Sequence, residues 1–221
     1  MSKIDIYDDN YNYIGVEDKQ VVHRNGLWHR VFTCQIFNSR DNCVYFQKKA
    51  PNRYSFSRPD YVDISVGGHY EAGENIEDGI REIYEETGLS DIKFQDLISI
   101  GIRQTASTIA ENYIANEFQH VYLLDYKGDF SDLLKENEET SGFVKLDIDD
   151  VLNLLICQKT SIKGEFAFLR DKTVTVESVD ITLNDFVPSY LRVDQFMLRL
   201  IVAIQRYMDD LQSNKKRLLF L

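Results

Sequence analysis

The sequence predicts an α+β fold built on a mixed β-sheet, and three observations lead there. Short segments of period-two alternation recur along most of the chain. Helical spacing is confined to a few interposed segments. No Pro- or Gly-rich linker divides them, with only 3 prolines in 221 residues. The chain is 43% hydrophobic, enough to bury a real core.

The elements follow in order. Ile4 to Val16 alternates apolar and polar residues around Asp8-Asp9-Asn10, which predicts a β-hairpin. His29 to Phe37 and Val44 to Lys48 read as strands joined by a turn over Asn38 to Asn42. Tyr61 to Val66 is a short strand running into Gly67-Gly68. Asn75 to Thr87 has helical spacing: Asn75 is an N-cap, Asp78 can complete a capping box, and Gly88 is the C′ stop. Ile92 to Ile102 and Phe118 to Tyr126 are strand-like. Phe143 to Leu146 is a short strand, and Asp149 to Ile156 is a helix with an acidic start. Phe166 to Glu177 reads as a second hairpin. The longest helix is expected over Tyr190 to Leu211. Its Leu191, Met197, Leu198, Ile201 and Ile204 suit packing on the protein's own core better than a dimer interface or a lid.

Charge and composition exclude several functions. Lys plus Arg is 25 and Asp plus Glu is 36, a formal charge of −11, which repels phosphate backbones and argues against a nucleic-acid partner. A small phosphorylated substrate is not excluded, because a metal ion inverts the local field. Cys34, Cys43 and Cys157 form no CxxC pair, which argues against a disulfide scaffold or zinc site and fits a reducing compartment. MSKIDIYDDN resembles no signal peptide, no apolar run reaches the ~18 residues that span a bilayer, and KKRLLFL carries no lipidation cysteine. The expectation is a cytoplasmic protein with no membrane partner.

The segment that carries chemistry is Gly67 to Leu89, GGHYEAGENIEDGIREIYEETGL. On its helix, Ile76, Ile80, Ile83 and Thr87 share one face, and Glu82, Glu85 and Glu86 share another. Three like charges at such spacing repel. Spacing alone leaves open a solvated acidic face or a site for a hard divalent cation such as Mg²⁺, with Arg81 orienting a carboxylate through a bidentate pair.

This stretch resembles the Nudix box, GX5EX7REUXEEXGU, where U is a bulky aliphatic residue. REIYEETGL, Arg81 to Leu89, matches REUXEEXGU at every fixed position, and Gly68 and Glu74 match the first part. One departure is that six residues, not seven, separate Glu74 from Arg81. Deleting a residue inside a helix rotates what precedes it by about 100°. Absorbing the deletion in the Glu74–Ile76 loop leaves the glutamate face intact, and Asn75 can cap a helix that starts late. The role of Glu74 is what the departure puts in question.

The resemblance implies a Nudix-type α/β/α sandwich over residues 28–157. A hairpin extension, 1–27, would precede it, and an extension packed on the core, 158–221, would follow it. It implies hydrolysis of the diphosphate bond of a nucleoside diphosphate derivative or other organic diphosphate, with Mg²⁺ or Mn²⁺ as cofactor and a homodimer as a frequent assembly. By the same resemblance, Glu82, Glu85 and Glu86 are metal ligands and catalytic, and Arg81 braces them. Glu117 is the candidate base and metal ligand outside the box, and Glu111 is a weaker one. His69, Gly68, Lys48 and Arg58 are candidate substrate contacts, with Arg53 and Arg103 also available for phosphate. Trp28, Tyr54, Phe56, Tyr61 and Tyr70 are candidate pocket walls.

Three further segments are similar to the isopentenyl-diphosphate isomerase branch of the same superfamily. They are LWHRVFTCQIFN (Leu27 to Asn38), SVGGHYEAGE (Ser65 to Glu74) and NEF (Asn116 to Phe118). That branch holds a metal with histidines and glutamates, and His23, His29, His69 and Glu117 stand at matching or near-matching positions. Its catalytic cysteine is Gly67 here, however, and the first glutamate of its ENE segment is Ala115. The isomerase also lacks the full REUXEE set, which is intact here. An isomerase-like activity is therefore an alternative reading, as is a non-catalytic module that binds a diphosphate ligand.

Overall fold

The computed structural model describes residues 2–50, 60–136 and 140–213. The chain opens with the expected hairpin, β1 (Lys3–Tyr7) and β2 (Tyr13–Asp18). A helix that the sequence reading lacked follows, α1 (Lys19–Asn25). The Asp18 carboxylate caps it by accepting from the Gln20 N–H, and Gly26 closes it in the left-handed region at φ 63°. Next come β3 (Trp28–Asn38), β4 (Cys43–Lys49), β5 (Val62–Asp63) and β6 (Val66–His69).

The expected helix over 75–87 divides in two. A tight 3₁₀ segment, Ile76–Ile80, leads into α2 (Arg81–Thr87). The Asp78 carboxylate accepts from the Asn75 N–H at 2.7 Å, which is the Asp78 half of the expected capping box. Asn75 and this 3₁₀ segment fill the interval between Glu74 and Arg81, and α2 carries Arg81 and the three box glutamates without a break.

A long hairpin follows, β7 (Ile98–Ala110) and β8 (Tyr113–Asp125), then β9 (Thr140–Asp147) and α3 (Ile148–Leu155). The second predicted hairpin is β10 (Ile162–Arg170) with β11 (Thr173–Ile181). The single helix expected over 190–211 is two, α4 (Pro188–Arg192) and α5 (Phe196–Ser213). Gln195 sits in the left-handed region at φ 54°, which an unbroken helix does not allow.

All eleven described strands join one sheet with the backbone order β11-β10-β9-β4-β3-β1-β2. Strand β8 pairs parallel to β3 and carries β7 on its far side, whereas β4 and β6 pair antiparallel to β3. The sheet is therefore mixed, and helices cover both faces. On one face Ile83 of α2 packs with Phe32, Cys34, Tyr45 and Tyr70. On the other, α3 and α5 pack Val151, Leu154, Leu200 and Ile204 onto Phe37, Val44, Phe46 and Leu123. The amphipathic C-terminal helix thus faces its own core, as its spacing predicts. The fold is the α+β sandwich that the box implied.

Two features of this topology position the site. Strand β3 is shared, so its parallel register with β8 sets His29 opposite Glu117, and its antiparallel register with β6 sets Val31 opposite His69. The N-terminal hairpin is also fastened to the glycine loop. Arg30 lies between the rings of Tyr7 and Tyr70, at 5.4 and 5.0 Å, and donates to Asp5 at 3.2 Å and to the Glu74 carbonyl at 2.6 Å. Asp5 in turn accepts from the Gly73 N–H.

Candidate active site

Helix α2 presents its glutamates where β6 and the glycine loop pass beneath. Glu82 and Glu86 are buried and Glu85 is largely exposed. Arg81 is the centre of their bonding. Its Nε and NH2 groups donate to the two Glu74 carboxylate oxygens at 2.6 and 3.1 Å. Its NH1 group donates to Glu82 at 2.7 Å and Glu85 at 3.3 Å, and NH2 also reaches the His69 carbonyl at 2.8 Å. One guanidinium thus gathers three carboxylates, a use for which its planar fork is suited. Glu74, whose role the shortened box put in question, is one of the three. Glu86 is held from the other side, accepting from the Gly67 N–H at 3.1 Å and facing the Lys49 ammonium at 3.8 Å.

These residues border a cleft of about 680 Å³. Its acidic lining is Asp63, Glu71, Glu82, Glu85, Glu86 and Glu117, and its basic lining is Lys19, Lys49 and Arg81, a formal balance of 3 − 6 = −3. Burial pushes the Glu82 carboxyl up to about 7 against the opposing pull of Arg81, and burial likewise raises Glu117 and Asp63. A cation bound among these buried carboxylates would favour their ionised form. The donor set is of the kind that Mg²⁺ or Mn²⁺ takes, all oxygen, with room left for a substrate.

A second donor set adjoins the first. His23, His29 and His69 each offer a ring nitrogen within 4.8 Å of the others. His23 Nε2 and His69 Nε2 are 3.0 Å apart, and His29 stacks on His69 at 5.1 Å between ring centroids. His29 Nε2 is buried without a hydrogen-bond partner and lies 3.9 Å from Glu117 Oε1. Burial lowers all three, His23 and His29 to about 4 and His69 well below its usual range, so each is neutral and able to ligate near pH 7. The His29 Nδ1 position is already set by the Leu27 carbonyl at 2.9 Å, which leaves Nε2 for a ligand. The residues therefore also fit a cation bound by imidazoles and Glu117.

Other candidates fall elsewhere. Lys48 does not line the cleft: it pairs with Asp60 at 3.9 Å and lies over the Phe166 ring. Alternation along β4 sends its neighbour Lys49 inward instead. Arg103 is buried against Asp194, and Glu111 is exposed in the β7–β8 turn. Arg53, Arg58, Tyr54 and Phe56 lie outside the described residues. Tyr70 belongs to the core on the opposite face of the sheet, Tyr61 is buried, and Trp28 packs on Phe118. The cleft is walled instead by Tyr113 and Tyr190, with Thr33, Gln119 and Asp63 on its floor. Lys19 reaches it from the unexpected helix α1.

Gly68 sits against Glu82, where a Cβ would overlap the carboxyl carbon and both its oxygens. The overlapped atoms are the end of a flexible side chain, so Gly68→Ala is expected to fold with a melting temperature within a few degrees of the parent. It should lose at least about tenfold in activity, because Glu82 is displaced. Thermal unfolding and turnover measured on one preparation check this.

The NUDIX domain family matches residues 27–163. The chain is 33% identical over 205 residues to an uncharacterised Nudix hydrolase of Clostridium acetobutylicum, covering 90% of this chain and 96% of the relative. It is 29% identical over 127 residues to an isopentenyl-diphosphate Delta-isomerase of Aromatoleum aromaticum, covering 56% of this chain and 67% of that one. A Deinococcus radiodurans crystal structure superposes with a TM-score of 0.53 at 19% identity, over 71% of this chain and 90% of that chain, which shows the shared fold.

Proposed function

The chain belongs to the NUDIX domain family, and from that premise we propose that it hydrolyses the diphosphate bond of a nucleoside diphosphate derivative or a similarly polar organic diphosphate. The observation that carries the proposal is the set of Glu82, Glu85 and Glu86, with Glu82 and Glu85 gathered by Arg81, at the edge of a cleft too acidic to take an anion unaided. Repelling carboxylates held together in this way suit a cation more than they suit stability.

Mg²⁺ or Mn²⁺, when bound, would screen the phosphate charge and acidify a water molecule. Glu82, Glu85 and Glu86 would hold it, and the histidine set with Glu117 is a second place that fits a cation. The protein's own groups would do the rest. Lys19 and Lys49 would bind phosphate oxygens as point charges, and Arg81 would keep the glutamates oriented while they share the cation. Glu117, whose carboxyl burial raises and whose Oε1 is left toward His29 and the cleft, would take the proton of the attacking water at its carboxylate.

Two observations favour hydrolysis over the isomerase reading. No cysteine is among the described residues lining the cleft: Cys34 and Cys43 are buried and Cys157 is exposed. Gly67 thus leaves the position of the isomerase's cysteine without a side chain. The inner wall is also polar. Thr33 Oγ1 is buried without a hydrogen-bond partner in a cleft also lined by Gln119, Asp63, Tyr113 and Tyr190, so an isoprenyl chain would leave the Thr33 hydroxyl unmatched, whereas a sugar or base could satisfy it.

The test is Mg²⁺-dependent product formation, followed by mass spectrometry, across nucleoside triphosphates, ADP-ribose, dinucleotide polyphosphates, sugar nucleotides, thiamine diphosphate and isopentenyl diphosphate, with Glu85→Gln beside the parent. Hydrolysis of a polar member that collapses in the variant is expected. Binding without turnover would replace the proposal with a ligand-binding module, and isomerised isopentenyl diphosphate would replace it with the isomerase.

A further inference from the structure

The C-terminal extension lies beyond the residues that the family matches, yet it reaches the cleft through an unbroken hydrogen-bonded chain. The break between α4 and α5 places Asp194 over the sheet, where its carboxylate pairs with Arg103 of β7 in a two-pronged contact, Oδ2 to Nε at 2.7 Å and Oδ1 to NH2 at 3.0 Å. Arg103 is only 4% exposed and packs across the Phe196 ring at 4.3 Å. Its remaining NH1 donates to Gln119 Oε1 at 2.8 Å, and Gln119 Nε2 donates to Glu117 Oε2 at 2.6 Å.

The polarity of this chain is fixed by chemistry. A guanidinium has no acceptor, so Gln119 must turn its carbonyl toward Arg103 and its NH₂ toward Glu117. One oxygen of Glu117 is thereby occupied, and the other, Oε1, is left toward His29 and the cleft. Register explains the economy: Arg103 is the cross-strand partner of Gln119, and Gln119 lies two residues from Glu117 on the same face of β8.

We propose that Asp194 is a positioning residue which, through Arg103 and Gln119, fixes the orientation of the Glu117 carboxylate, so that the C-terminal extension completes the site. The effect on turnover rests on the hydrolase reading above; the effect on Gln119 does not. Outer partners of this kind are worth about 10- to 100-fold in activity. Asp194→Ala is expected to lower kcat by about that factor with KM within about threefold of the parent. The same substitution in a Glu117→Gln background should cost less than about twofold further, because the group it acts on is already gone. Gln119→Met breaks the chain at its middle link while leaving the Arg103–Asp194 pair whole, and it should reproduce the kcat loss where Asp194→Ala folds poorly.

The readout independent of activity is the Gln119 side-chain amide in a ¹⁵N–¹H spectrum. It should be slow to exchange in the parent and shift toward solvent-like values in Asp194→Ala. An amide unchanged by Asp194→Ala overturns the proposal, and so does an equal loss of kcat in both backgrounds. If the amide responds but the parent hydrolyses nothing, the chain of contacts stands and the hydrolase reading falls.

Discussion

Glu82→Gln is expected to abolish most turnover and, in the same protein freed of metal, to raise stability. The carboxyl is buried and pushed from 4.5 up to about 7. The folded state therefore binds this proton more tightly than the unfolded chain does. The cost of ionising it grows as pH rises from about 4.5 to 7 and is present in full above 7. A shift of 7 − 4.5 = 2.5 units corresponds to roughly 3 kcal/mol, an upper value for what the amide can recover. Chelated Glu82→Gln should therefore unfold at higher urea than the parent at pH 8, and the difference should shrink toward zero by pH 4.5. Activity should fall about 100- to 1,000-fold at saturating Mg²⁺, the range for removing one preorganised charge-stabilising group. Urea titrations at the two pH values, with turnover on the same stocks, check both halves. A variant less stable than the parent at pH 8 would show that Glu82 stabilises the fold and is not held at its expense.

Arg81→Ala is expected to move both quantities the same way, downward. Removing the guanidinium leaves Glu74, Glu82 and Glu85 facing one another and the His69 carbonyl without its donor. Hydrogen bonds to charged groups are worth about 1.5–3 kcal/mol each, and partial exposure of the cluster reduces their sum, so a loss of about 2–4 kcal/mol is expected. Turnover should fall about 1,000-fold because all three glutamates lose orientation. Arg81→Lys keeps the charge but not the fork and should recover less than half of the loss in free-energy terms. The contrast with Glu82→Gln is informative, since one substitution relieves the excess of negative charge and the other increases it.

Local signals in the sequence were reliable where local physics decides. REIYEETGL places Arg81, Glu82, Glu85 and Glu86 by helical spacing alone. Both hairpins, the acidic start of α3 and the Asn75–Asp78 cap are likewise set within a few residues. The helix α1 had readable ends in Asp18 and Gly26, but seven residues carry too little periodicity to stand out. The histidine set was beyond local reasoning. His23, His29 and His69 come from a helix and two strands, and they meet only because β3 pairs with both β6 and β8, and α1 packs on β8. The switch from Lys48 to Lys49 is a one-residue question of which side of a strand faces the cleft, which a short strand with weak alternation leaves undecided. Tyr190 and Asp194 enter through a break at Gln195 that the continuous apolar spacing of residues 190–211 concealed. What the chain hides is thus mostly pairing between distant strands and the folding back of its C-terminal segment.

On the proposed function, cation-holding glutamates on α2 drive attack of water on a diphosphate. The most direct measurement is turnover in H₂¹⁸O, with Mg²⁺ or with chelator, across the diphosphate panel, using the parent and Glu86→Gln and analysing products by mass spectrometry. The account predicts ¹⁸O in one phosphoryl product of a nucleotide or sugar diphosphate, lost with chelator and in Glu86→Gln. Diphosphates returned intact by Mg²⁺-saturated protein, or isopentenyl diphosphate rearranged without ¹⁸O, would contradict it.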